Sequence, residues 1–344
     1  MIAERREFSR AEREDIYYHL LAGASGCRIL ESVIELKLPD LLAKKGPLTA
    51  DELIAALALH HQRGRKWLLM LCHLGLIEEA PDPGMLPAKY QAGPLMRAFW
   101  HKDGSMGFFY RDFLRFWRTS HAFDLVQVIR GQPVPQVPYP PASLEEAQKL
   151  EAWMRETARE TVATIERALS FEGVERLLDV GGGDGTVAVH YARRYPQLHT
   201  TVFNLPNSAY LARQNIAREG LADRVSVVEG DFRRDPLPQG YQLVQFSRVL
   251  ADWPDDVCQM LLAKAWQSLL PGGRVLICDP LADDNPDLTL AWESTYIAYD
   301  DFGVGVYKPL ASYERLLTQV GFKILQVTRK HQDSTHAVIV AQRL

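Results

Sequence analysis

The run Leu177-Leu178-Asp179-Val180 stops at Gly181-Gly182-Gly183, passes through Asp184-Gly185 and resumes at once as helical periodicity. A short apolar strand that turns straight into a helix must cross back over a sheet, because parallel neighbours need a connection of about a dozen residues or more. The rest of the C-terminal half keeps this rhythm. Strand-like runs at 176–180, 199–203, 225–229, 243–246 and 275–279 alternate with helical runs at 187–195, 208–219 and 257–269. A helical run at 312–320 then precedes two last strand-like runs, 323–327 and 337–341. The pattern predicts an α/β, Rossmann-like, seven-stranded doubly wound sheet whose last strands form an antiparallel edge.

The N-terminal half reads differently. Apolar residues recur at helical spacing over 16–42, with breaks expected at Gly26 and Pro39, and Thr49 ahead of Asp51 and Glu52 reads as a capped helix start. A second helix, 62–74, ends at Gly75; the apolar piece 76–79, a turn-rich stretch and Tyr90-Gln91-Ala92 complete the outline of a winged helix. Residues 99–129 are dense in aromatics, five prolines between 131 and 141 form a stiff linker, and Ser143-x-x-Glu146 opens a helix expected to run to about 169. The expected domains are 1–100, mainly helical and winged-helix-like; 101–169, a helical linker and pocket segment; and 170–344, the doubly wound sheet.

With 344 residues, two cores of ordinary size are affordable, and a net charge of −4 gives no excess of cations for nucleic acid or anionic lipid. Between Pro47 and Tyr90 four Lys or Arg face five Asp or Glu, the wrong balance for a phosphate-binding face, so a DNA-binding regulator is the weakest reading of the helix-turn-helix. The four cysteines are far apart, the first residues are charged and no run reaches the roughly 18 apolar residues of a membrane span. A cytoplasmic protein without membrane insertion is expected. The ten histidines show no metal-ligand spacing, so no metal is expected.

The chemistry lies at the strand ends. Gly183-x-Gly185-x-x-Ala188 formally fits a dinucleotide-binding pattern, but Asp179 at the end of the first strand would repel a pyrophosphate. It suits instead a cofactor with an ammonium and a sulfonium, as in S-adenosylmethionine. Where the second strand ends, Asn204-Leu205-Pro206 offers an amide in place of the usual ribose-binding acid, and Asp231-Phe232 after the third offers an acceptor for an adenine amino group and an aromatic face for its ring.

Taken together, 179–185, Gly230-Asp231-Phe232, 248–253 and Leu270-Pro271-Gly272-Gly273-Arg274 resemble the small-molecule O-methyltransferase family with an N-terminal dimerisation domain, which includes hydroxyindole, phenazine and polyketide O-methyltransferases. The resemblance covers nearly the whole chain. It implies that Asp179, Gly181 and Gly183 hold the methionine part of S-adenosylmethionine, Asn204 and Leu205 the ribose side, Asp231 and Phe232 the adenine, and Ser247 and Arg248 the far side. It also implies a homodimer. Asn204-Leu205-Pro206, Ser294-Thr295-Tyr296-Ile297 and the 312–322 helix look closest to the bacteriochlorophyllide and carotenoid methyltransferase branch, which includes carbon methylation.

One departure stands out. The family pattern V-L-H-D-W carries a histidine general base, and this chain reads Val249-Leu250-Ala251-Asp252-Trp253. Loss of a positioned base costs roughly 10²–10⁴ in rate where one is needed. Tyr296 and Asp300 are the candidate replacements, with His121 a further histidine near an aromatic cluster. Phe109, Phe113, Trp117, Met154, Trp292, Tyr296 and Tyr299 are the candidate walls of a pocket for a flat aromatic or polyene substrate. The alternative reading is a family member that binds the cofactor but carries out a hydroxylation, decarboxylation or pericyclic step.

Overall fold

The computed structural model describes residues 9–81, 87–100, 108–135, 139–300, 302–332 and 334–344, without the side chains of 108–110 and 112. The chain divides into two units, Met1–Arg115 and Phe116–Leu344.

In the first unit Ser9 caps the helix Arg10–Glu35, which runs through Gly26 without a break. One glycine costs a helix about 1 kcal/mol, too little to interrupt one this long, so the expected break is corrected. Pro39 starts an element rather than ending one: it sits in the first turn of Leu38–Lys45, where its missing N–H is no loss. The Thr49–Glu52 capping box opens Ala50–Ala56, and His61–His73 ends before Gly75, which takes a φ of +68°. Strands β1 (Leu48–Thr49), β2 (Ile77–Glu79) and β3 (Lys89–Ala92) form an antiparallel sheet in the order β1-β3-β2, the wing. Leu38, Leu53, Leu71, Leu76 and Ile77 close the core beneath it.

The second unit holds β4 (Arg176–Val180), β5 (His199–Asn204), β6 (Val225–Glu229), β7 (Tyr241–Ser247), β8 (Leu269–Pro280), β9 (Phe322–Thr328) and β10 (His336–Arg343). They form one sheet, β6-β5-β4-β7-β8-β10-β9, parallel except where β10 runs antiparallel to both neighbours. Successive residues of a strand face opposite sides. Accordingly Val244 and Phe246 of β7 pack with Leu261, Leu316 and Ile339, while Leu243 packs with Leu177, Tyr191 and Val338 on the other face. Burial on both faces is why the inner strands β4, β7 and β10 are buried along nearly their whole length.

Two departures from the expected elements bear on the site. The helix expected to run from 143 to 169 is two helices, Leu144–Glu156 and Ala158–Ala168, parted at Thr157. Arg248, at the end of β7, donates to the Met154 carbonyl (3.2 Å), a group that an unbroken ladder would use, and to the Thr157 hydroxyl. A helix also forms at Pro286–Thr295, a stretch to which the sequence reading gave no element. The Asn285-Pro286 pair, which suggests a turn, marks its start.

Candidate functional site

Strand order reverses at β4, with β5 on one side and β7 on the other, so a crevice opens beyond their carboxyl ends. A single cavity there is lined by Asp179, Gly181, Gly183, Asn204, Leu205, Asp231, Phe232, Ser247 and Arg248. The sequence assigned each of these to the cofactor, and the fold brings them together. Met154, Trp253 and Arg233 also line it, as do Glu151 and Tyr139 from segments that the sequence did not connect to the cofactor.

The glycine turn is shaped by what approaches it. A Cβ on Gly182 would stand 2.5 Å from Asp179 Oδ2, and one on Gly183 would stand 2.6 Å from Glu151 Oε2. Two carboxylates therefore pack against backbone that no side chain could share. The turn closes through Gly183 N–H to the Gly181 carbonyl (2.8 Å) and Gly185 N–H to the Gly182 carbonyl (3.0 Å). Asn204 bridges the turn to β5: its Nδ2 donates to the Gly183 carbonyl (3.3 Å) and its Oδ1 accepts from Leu205 N–H (2.8 Å). A carboxylate could make only the second bond.

Asp179 is 2% exposed; its Oδ1 accepts from Gln245 Nε2 (3.0 Å), and its Oδ2 is buried without a partner. Burial pushes its carboxyl up to about 6, against the pull of the Gln245 bond and the Arg248 charge. Glu151 is 4% exposed and accepts the Asp184 N–H at 3.0 Å; burial, with Asp184 nearby, pushes it up to about 7 despite the Ser208 hydroxyl and Arg248. A buried acceptor lacking a donor is costly, and a cationic ligand rich in N–H groups would relieve it. The α-ammonium of S-adenosylmethionine is such a group, so the donor set fits that cofactor. Arg248 sits at a φ of +58°, in the left-handed region that non-glycine residues seldom occupy. Asp231 is engaged on its own loop: burial raises its carboxyl, but hydrogen bonds from Arg233 and the charges of Arg233 and Arg234 outweigh it and hold it low. Phe232 meets Trp253 edge-on at 5.8 Å.

The expected substrate residues fall differently. Trp292, Tyr296 and Tyr299 do not line the cavity but join it through aromatic contacts: Tyr139 in the wall meets Phe302 at 5.1 Å, and Phe302 meets Tyr296 at 4.8 Å and Tyr299 at 5.3 Å. Trp292 stacks on Trp153 at 5.9 Å, and Phe116 touches both Trp153 and Tyr296. Trp117 stacks on His121 instead, and that imidazole is turned to the Trp117 carbonyl. Phe113 belongs to the first unit, and the Phe109 side chain lies outside the described residues. Burial holds the Tyr296 hydroxyl well above its ordinary value, which disfavours the phenolate a base would need; Asp300 is exposed and does not line the cavity.

Ala251 is 3% exposed within the short 3₁₀ turn Leu250–Asp252. Beside it Asp252 accepts from the Tyr139 hydroxyl at 3.1 Å, and Asp279 from the Tyr313 hydroxyl at 3.0 Å. Burial raises these carboxyls to about 6 and about 7. Among the described residues no group of His, Cys, Asp and Glu is arranged to hold a metal ion.

The raised carboxyls set a pH dependence. Below about pH 4, Glu151 is protonated in folded and unfolded chains alike and contributes nothing. As pH rises the unfolded chain ionises first, so stability falls until about pH 7 and then levels. Glu151→Gln is therefore expected to gain on the ligand-free wild type by up to about 3 kcal/mol between pH 5 and pH 8. Urea unfolding at both values measures it; an unchanged gap would contradict a carboxyl held high.

A family profile described as an O-methyltransferase domain matches residues 134–323, and one described as an O-methyltransferase dimerisation domain matches residues 18–102. Bacteriochlorophyllide d C-20 methyltransferase of Chlorobaculum tepidum is 31% identical over 211 residues, 60% of this chain and 62% of that protein's length. Demethylspheroidene O-methyltransferase of Cereibacter sphaeroides is 29% identical over 95% of this chain and 87% of its own. The crystal structure of the S-adenosylmethionine-dependent methyltransferase SibL in its apo form superposes with a TM-score of 0.74 at 28% identity, covering 94% of this chain and 97% of that one.

Proposed function

The chain belongs to the O-methyltransferase family, as an S-adenosylmethionine-dependent methyltransferase with the family's dimerisation domain, and we propose that it methylates an oxygen, carbon or nitrogen of a flat aromatic or polyene small molecule. The observation that carries the reading is the gathering of Asp179, the glycine turn, Asn204, Asp231 and Phe232 on one cavity, with Asp179 Oδ2 left without a partner. Asp179 would anchor the methionine end, Asn204 the ribose, and Asp231 with Phe232 the adenine. The cofactor supplies a methyl group on a sulfonium, open to in-line attack.

The aromatic array from Trp253 and Tyr139 through Phe302 to Tyr296 and Trp292 supports a flat apolar acceptor, which rings bury well and hold in a few orientations. The relatives named for bacteriochlorophyllide d and demethylspheroidene agree with large conjugated substrates. With Ala251 unable to take a proton, the acceptor has to bring its own reactivity: an acidic phenol, an enol, an electron-rich carbon or an aromatic nitrogen. Tyr296 and Asp300 remain the replacement bases to be tested, Tyr296 from the aromatic array and Asp300 from the surface loop. The apolar side chains Ile16, Tyr17, Tyr18, Leu20 and Leu21, 46–65% exposed on the first helix, support a homodimer joined through the first unit. No helix of the described residues is long and apolar enough to cross a membrane.

The test is transfer of labelled methyl to a panel of such acceptors, with a pH–rate profile for the best of them. For a hydroxyl acceptor the expected profile follows the acceptor's own ionisation and survives Tyr296→Phe and Asp300→Asn. Loss of rate together with loss of the acidic limb in either variant would identify that residue as the base. A modified acceptor beside unaltered cofactor would instead favour the non-methylating reading, and inertness across the panel would count against this substrate class.

A further inference from the structure

Glu151 sits on the helix Leu144–Glu156, which no strand end explains, yet its carboxylate reaches the glycine turn. Gly182 packs against the buried carboxylate of Asp179, and Gly183 against that of Glu151. Both line the same cavity. One Asp179 oxygen has no hydrogen-bond donor, and burying two carboxylates in the wall of one cavity is costly unless a cation or protons accompany them.

We propose that Glu151 is a second anionic contact for the α-ammonium of S-adenosylmethionine, and that it gives up its proton to solvent as the cofactor binds. The proposal rests on the function proposed above. The ammonium is chosen over the sulfonium because it carries N–H donors and the sulfonium has none, so only the ammonium satisfies carboxylate oxygens by hydrogen bonding. S-adenosylhomocysteine keeps that ammonium and should behave in the same way.

The groups facing Glu151 set the proton's balance. Asp184, on the glycine turn, opposes ionisation, although Arg155, one turn further along the Glu151 helix, pairs with Asp184 and moderates it. Arg248 at the end of β7 and the Ser208 hydroxyl favour ionisation. Asp179 lines the same cavity, and the Tyr139 hydroxyl, whose proton is held more tightly partly through Glu151, closes the list. Without the cofactor the Glu151 carboxyl, pushed up to about 7, is half protonated near neutrality; an added cation beside it expels that proton.

Isothermal titration of the full-length protein with S-adenosylhomocysteine, in buffers of different ionisation enthalpy, counts the protons exchanged. At pH 7 the wild type is expected to release about half a proton per site. Glu151→Gln keeps an acceptor for the Asp184 N–H but not the charge; it should release almost none and bind at least about tenfold more weakly at pH 8. Its ligand-free melting curve serves as the folding control. A variant matching the wild type in proton count and affinity, or a wild type that binds without exchanging protons, overturns the assignment of Glu151 alone. A wild type that binds neither S-adenosylhomocysteine nor S-adenosylmethionine overturns the proposed function with it.

Discussion

Asp179→Asn is expected to weaken S-adenosylmethionine binding by about 100-fold or more while leaving the ligand-free protein as stable as the wild type or more so. The two halves have one cause. Oδ1 has its partner in Gln245, which an asparagine oxygen keeps, whereas Oδ2, buried and unpartnered in a residue of the cavity wall, would become an amide N–H₂. A charge-assisted bond to an ammonium is worth about 1.5–3 kcal/mol, and replacing its acceptor with a donor adds repulsion to that loss. In the ligand-free state the carboxylate is a liability, its carboxyl pushed up to about 6 by burial, so removing the charge relieves strain that grows as pH rises. Titration calorimetry and urea unfolding at pH 8 read both quantities. Undiminished affinity in the variant would remove Asp179 from the cofactor site. Weaker binding together with a destabilised fold would make its role structural.

How much of this was legible in sequence follows from where each residue sits. Asp179, Asn204, Asp231 and Ser247 stand at or just beyond the ends of consecutive parallel strands, and a doubly wound sheet assembles such ends side by side whatever else the chain does. Locating the strands was therefore enough to assemble the cavity. Glu151 lies 33 residues before its partner Asp184, on a helix whose polar pattern reads as a solvated face. Only the helix's rotation about its axis brings that carboxylate inward, and neighbouring charges give no hint of it. Tyr139 was hidden in a proline-rich stretch read as a linker, yet it lines the cavity and bonds Asp252. Thr157 shows the reverse case, in which a tertiary partner overrides local propensity: Arg248 parts a helix that the sequence alone would continue. Trp292, Tyr296 and Tyr299 were recognised as an aromatic group, but their connection to the cavity runs through Phe302, which the sequence did not single out.

Lys308→Met is expected to cost about 3–5 kcal/mol of stability, with more of it lost at pH 8 than at pH 5. Lys308 is 5% exposed, and its ammonium donates to the carbonyls of Leu250 (3.2 Å), Ala251 (3.4 Å) and Trp253 (2.6 Å). Three carbonyls of the turn that carries Ala251 therefore converge on one buried cation. Methionine keeps an unbranched side chain shorter by only the terminal atom but leaves those oxygens without that donor. The pH dependence has a separate origin. The Lys308 charge favours ionisation of Asp252 and Asp279, whose carboxyls stand at about 6 and about 7 with it in place. Without the ammonium both rise further, so the folded variant resists ionisation over a wider range while the unfolded chain ionises as before; stability is lost as pH climbs past those values. At pH 5 both carboxyls are already largely protonated in the folded wild type, and only the loss of the carbonyl bonds remains. Because Val249 and Trp253 of the same turn line the cofactor cavity, affinity for S-adenosylmethionine should fall alongside stability. Unfolding at the two pH values separates the contributions: an equal cost at both would assign Lys308 to the turn alone, and a cost confined to pH 8 would assign it to the carboxylates alone.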